Sequence, residues 1–181
     1  MVKKNLFCFV LFLLTMMTGM SAKEVREKTS FDFDWKFIKS DSSAFSVPSF
    51  SDKDWEDVQL PHDWNIKMNF DVSAGGSAAY LPGTIGWYRK SFEYSKSWKG
   101  KKVSILFDGI FHQSDVNING HHLGFIPYGF GNIEYDLTPY LNRTGRNVLA
   151  VRVDCTGERP RWYTGSGIYR HVWLQTVNPV H

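Results

Sequence analysis

The stretch Asp115-Val116-Asn117-Ile118-Asn119-Gly120-His121-His122-Leu123-Gly124 reads as two alternating runs joined at Asn119-Gly120. Those two residues tolerate positive φ, which a type I′ turn needs at both central positions, so the segment predicts a tight β-hairpin. Outward from it the chain repeats the same grammar. Residues 86–94 set Trp87, Arg89, Ser91 and Glu93 against Tyr88, Lys90, Phe92 and Tyr94. A period of two predicts a strand with two unlike faces. Further short runs at 35–38, at 55–60 ending on Pro61, and at 102–107, 133–137, 147–154 and 168–176 complete the strand set. Residues 136–141 allow one helical turn, with Thr138 as a cap and Pro139 at its first position. With no βαβ alternation and no internal repeat, the expected fold is all-β, a two-sheet jelly-roll sandwich.

The length of 181 residues, with 43% hydrophobic and 22% charged content, suits one globular domain. Lys3 and Lys4 precede an apolar run from Leu6 to Met17, and the small residues Gly19, Ser21 and Ala22 follow, the pattern of a secretory signal over 1–22. The run is shorter than the roughly 20 residues of a membrane-spanning helix, so no membrane partner is expected after cleavage. Residues 23–30 are charged and aperiodic and read as a flexible lead-in, leaving 31–181 as the domain. Without Lys3 and Lys4 the chain holds 19 basic residues against 18 acidic ones, a balance that gives no case for nucleic acid. Cys8 falls in the signal, and Cys155, in an apolar run, reads as a small buried hydrophobe. Aromatic residues reach 16%, which serves a β core and also suits stacking on sugar rings.

Six stretches carry a resemblance: 60–64 (Leu-Pro-His-Asp-Trp), 86–90 (Gly-Trp-Tyr-Arg-Lys), 107–109 (Phe-Asp-Gly), 116–120 (Val-Asn-Ile-Asn-Gly), 136–141 (Asp-Leu-Thr-Pro-Tyr-Leu) and 165–170 (Gly-Ser-Gly-Ile-Tyr-Arg). In this order the chain resembles the N-terminal sugar-binding domain of glycoside hydrolase family 2, whose members include β-galactosidases, β-glucuronidases and β-mannosidases. The resemblance implies a galactose-binding-like jelly roll over most of 31–177. It also implies that an immunoglobulin-like sandwich and a TIM barrel complete such an enzyme, the barrel carrying the two glutamates of retaining hydrolysis. The motifs around those glutamates are not in this sequence, so the expected role is a non-catalytic domain or fragment of an exported β-galactosidase-like enzyme. The expected partners are a β-glycoside and the missing downstream domains. The alternative is a free-standing carbohydrate-binding module. An independent hydrolase ranks last, since no nucleophile and base pair can be assembled from these residues.

By the same resemblance, 158–167 reaches toward the barrel's pocket and helps wall the terminal-sugar subsite. Several relatives place an acid five positions before the Ser of Ser-Gly-Ile; this chain has Arg161, a donor where they present an acceptor. Trp162 and Tyr163 either line the subsite or bury against the next domain. Asp63 either accepts from a sugar hydroxyl or holds an Asx-type turn, and Tyr80, in the glycine-rich loop 75–83, is a further contact candidate. Asp52, Asp54, Asp108 and Asp136 read as solvated or turn-capping carboxylates, and Ser166 as a backbone-packing residue. No cofactor and no metal are expected: His121 and His122 are adjacent on a strand and point to opposite faces. The signal and the family resemblance together imply a bacterial periplasm or cell exterior, and a docking face for the next domain is expected around Trp173, Leu174 and Val177.

Overall fold

The structure is a computed structural model and describes residues 26–157 and 162–179. The signal segment 1–22 and Arg161 lie outside the described residues. The described chain forms β1 (Arg26–Ser30), β2 (Trp35–Ile38), β3 (Glu56–Val58), β4 (Ile85–Glu93), β5 (Lys102–Phe107), β6 (Ser114–Ile118), β7 (His121–Ile126), β8 (Ile133–Asp136), β9 (Arg146–Asp154) and β10 (Val172–Val177). One sheet runs β1-β10-β5-β8 and the other β3-β2-β4-β9-β6-β7, with every pairing antiparallel. The two sheets enclose one core, in which Trp35, Phe37 and Tyr88 of the larger sheet pack with Val103, Ile105 and Phe107 of the smaller. Each such side chain contributes about 1.5–3 kcal/mol through burial. The all-β sandwich expected from the periodicity is the fold observed.

The β6–β7 hairpin turns where the sequence places it. Asn119 and Gly120 have φ of 51° and 81°, and the Asn119 side chain also accepts from Val148 N at 2.9 Å, tying the turn to β9. Thr138–Tyr140 is one 3-10 turn; Asp136 Oδ1 accepts from Thr138 N, while the Thr138 hydroxyl accepts from Val103 N.

Three expectations are corrected. Arg26–Ser30, read as part of a flexible lead-in, is an edge strand paired with β10 over its whole length, from Arg26 opposite Val177 to Ser30 opposite Trp173. All five residues are exposed, so main-chain hydrogen bonds hold the strand, and its charged side chains blunt the edge. The two faces of β4 are also less unlike than their sequence suggests, because residues 86–90 are buried on both. The β2–β3 connection folds over the outer face and makes a second apolar cluster of Phe45, Trp55, Trp87 and Ala150. Arg89 is wholly buried beneath it. Its Nε donates to Asp52 Oδ2 at 2.9 Å and its guanidinium donates to the carbonyls of Phe45, Val47 and Phe50. Asp52, read from the sequence as a solvated or turn-capping carboxylate, is thus the counter-ion of a buried guanidinium.

Candidate functional site

Connections 59–84, 108–113 and 127–132 and the described residues 155–157 and 162–171 meet at one end of the sandwich. The first and last are laced by backbone bonds, His62 N to Ile168 O at 2.8 Å and Trp64 N to Ser166 O at 3.2 Å. Phe111 and Gly167 exchange both N–H···O bonds at 2.8 Å, and the Tyr169 hydroxyl donates to Gly129 O at 2.9 Å. Gly167 makes this close weave possible, with φ of 120° and no room for a Cβ.

Asp63 sits at the junction. Its Oδ1 accepts from Asn65 N at 2.9 Å, which caps the 3-10 turn Trp64–Lys67, and from Ser166 N at 2.9 Å; its Oδ2 accepts from the Tyr163 hydroxyl. Both alternatives read for Asp63 meet here: the Asx-type turn exists, and the same carboxylate reaches the loop that carries Tyr163. Asp63→Ala is expected to destabilise the fold by about 1–3 kcal/mol, because it strips the acceptor from two backbone N–H groups and a hydroxyl. Asp63→Asn, which keeps an acceptor at Oδ1, is expected to lose less, and urea titration of the two variants measures the difference.

His62 lies beneath this junction. Its Nδ1 is 2.8 Å from the Tyr88 hydroxyl, its ring meets Phe37 edge-on at 4.9 Å, and its buried Nε2 has no partner among the described residues. Burial holds the imidazole below its ordinary pKa, with Lys67 adding to the effect and Glu56 and Asp63 opposing it. A depressed folded-state value means the unfolded chain takes up a proton first. The stability due to neutral His62 is therefore complete above about pH 6.5 and is lost as pH falls through the lower folded-state value. Denaturation midpoints at pH 7.5 and 5.0 should differ more for the parent than for His62→Gln; equal differences would remove His62 as the source.

Trp162 is 71% exposed and Tyr163 40%, whereas Gly165, Ser166, Gly167 and Ile168 are buried. The described part of 158–167 is thus anchored at its C-terminal half and presents its aromatic residues outward. Tyr80, 48% exposed at φ of 60°, belongs to a separate compact loop in which Asp71 N donates to Tyr80 O and Tyr80 N to Gly75 O. The structure brings Asp63 and Tyr163 together with Trp162 beside them; Tyr80 stands on its own loop. Ser166, at 0% exposure, packs as expected.

Several residues of this end escaped the sequence reading. Among the described residues, Asn65 is fully buried with no partner for either amide atom, and Thr164 Oγ1 is likewise buried without one. Ile66, Phe70 and Val72 are 71%, 80% and 87% exposed, an apolar rim on the loop before Tyr80. Their signal is apolar residues between Pro61 and Pro82 that fit no strand period. The face expected around Trp173, Leu174 and Val177 is not apolar surface. Leu174 is in the core, and the Trp173 ring is covered by Lys28 Nζ at 4.1 Å while its Nε1 donates to Asp108. Among the described residues no group of three or more potential metal ligands assembles.

The family model for glycosyl hydrolases family 2, sugar binding domain, matches residues 21–178. A β-galactosidase of Bacteroides ovatus is 48% identical over 160 residues, covering 86% of this chain and 19% of its own length. A putative β-glucuronidase of Formosa agariphila is 40% identical over 184 residues, 98% of this chain and 17% of its own. Among solved structures, a β-glycosidase from Bacteroides vulgatus superposes with a TM-score of 0.80 at 44% identity, over 84% of this chain and 20% of that one. The chain thus spans about a fifth of the length of these relatives.

Proposed function

The chain belongs to glycosyl hydrolase family 2, as its sugar-binding domain, and on that premise we propose that it serves an exported β-glycosidase as a non-catalytic wall of the saccharide pocket. The observation that carries this reading is the Asp63 clip, which fixes Tyr163 and Ser166 while Trp162 and Tyr163 face outward. An exposed indole beside an exposed phenol offers flat apolar area to a sugar ring, and both side chains lose little entropy on binding. The leader pattern at 1–22 supports export. Hydrolysis needs an acid/base and a nucleophile about 5–5.5 Å apart, supplied by the rest of the enzyme. In this role Ile66, Phe70 and Val72 are the apolar contact for those further domains, in place of the face around Trp173. Tyr80 is a further saccharide contact from its own loop, and Arg161, by the family resemblance, is a donor to sugar hydroxyls.

Calorimetric titration of the chain with the neutral β-galactosides and β-mannosides, alongside Trp162→Ala and Tyr163→Ala, tests the proposal. Binding weakened at least severalfold by either substitution supports the loop end as the saccharide surface. Unchanged binding in both variants overturns it. Sub-millimolar binding by the chain alone would favour the free-standing module over a wall that works only within the larger enzyme.

A further inference from the structure

All four strands of the smaller sheet contribute to a second concavity. The loop end described above adjoins Phe107 and Val172, while the starts of β1 and β5 and the ends of β8 and β10 frame a cleft of about 570 Å³ at the other end of that sheet. Six residues of strand separate the two, about 20 Å. The volume falls within the range of small-molecule sites, about 300–1,000 Å³.

The charges of this cleft do not cancel. Its two acids are engaged locally: Glu134 accepts from the Ser104 hydroxyl at 2.7 Å, and Asp136 accepts from Thr138 N at 2.9 Å and lies 3.7 Å from Lys102 Nζ. Lys101 pairs with Glu27 at 3.4 Å. Arg26 and Arg143 also line the cleft, and neither has an ion-pair partner among the described residues. Tyr94 stands beside them, its ring braced edge-on by Trp98 at 5.5 Å. Two guanidinium forks and an aromatic ring in one cleft match a ligand that carries a carboxylate and an apolar ring face.

We propose that this cleft is a second carbohydrate site, selective for a carboxylate-bearing saccharide such as a uronic acid unit. Arg26 and Arg143 receive the carboxylate and Tyr94 the ring. The inference rests on the proposed function only in taking carbohydrate as the ligand class, and it uses none of the loop-end residues. A planar guanidinium donates to both carboxylate oxygens at once, which a lysine cannot do. Arg143→Lys should therefore weaken binding even though charge is kept.

The test is titration of the purified chain, followed by calorimetry and by amide chemical shifts, with four probes: a glucuronate disaccharide, a neutral glucose disaccharide, sodium sulfate and a hexaglutamate peptide. The expected result is binding of the uronate alone, with shifts around Tyr94 and Arg143. Affinity should fall about tenfold or more in Arg26→Ala or Arg143→Ala, about 1.4 kcal/mol per tenfold, less in Arg143→Lys, and not at all in Trp162→Ala. It should also weaken with added salt. Equal binding of the neutral disaccharide, of sulfate or of the peptide overturns the assignment, as does no uronate binding by a chain whose thermal transition is intact. Failure of the loop-end proposal shows instead as insensitivity to Trp162→Ala and Tyr163→Ala, so the two can fail separately.

Discussion

Gly167→Ala is expected to cost the fold about 3 kcal/mol or more, by adding backbone strain to an overpacked contact. At φ of 120° an L-residue is disfavoured, and a Cβ built there would lie 2.2 Å from the Tyr88 hydroxyl, 2.8 Å from His62 O and 3.1 Å from Trp64 Cε3. The carbonyl is backbone and Tyr88 is fully buried, so neither can yield cheaply. Relief requires 166–168 to move away from both 62–64 and Phe111, which breaks the four lacing hydrogen bonds together. Chemical denaturation measures the loss. The same variant should sharply raise amide exchange at Ser166 and Phe111, and a stability within about 1 kcal/mol of the parent would contradict this packing.

Arg89→Ala is expected to destabilise by about 3–5 kcal/mol, the range for removing one member of a buried ion pair. The substitution leaves Asp52 without its counter-ion and deprives the carbonyls of Phe45, Val47 and Phe50 of their donors. The rings of Phe50 and Trp55, 5.7 and 6.0 Å from the guanidinium carbon, lose a packed neighbour as well. The segment 39–55 should then detach from the outer face of β4, with Trp55 and Trp87 fluorescence reporting the exposure. Arg152→Ala is the control. Arg152 pairs with Asp41 at 2.9 Å and with Asp154 at 3.2 Å, but its side chain is part-exposed and its loss should cost about 1 kcal/mol or less. Equal losses in the two variants would refute the distinction drawn between them.

The hairpin at Asn119-Gly120 and the runs of β4, β5 and β9 were legible because local chemistry determines them: turn residues that accept positive φ, and side chains that alternate with the pleat. The edge strand β1 was not legible. Arg-Glu-Lys-Thr-Ser buries nothing, and its place depends on backbone groups of β10 almost 150 residues away. The burial of Arg89 was hidden for a related reason, since alternation shows that β4 has two faces but not that a loop returns to cover one. At the candidate site, Asp63 and the Gly165-Ser166-Gly167-Ile168 motif were both visible. Their junction was not, because Asp63 meets Ser166 across 103 positions and Tyr163 across 100. The apolar rim of Ile66, Phe70 and Val72 escaped notice because it follows no secondary-structure period.

Strand β10 has a consequence for biogenesis. It lies between β1 and β5, so β1, the earliest strand among the described residues, has no partner in its sheet until residues 172–177 have been made. Half of the sandwich cannot close around a nascent chain, and such distant pairings slow folding. During synthesis Arg26–Ser30 therefore waits as an unpaired edge until 172–177 are made, and the smaller sheet closes only when that strand slots in between β1 and β5.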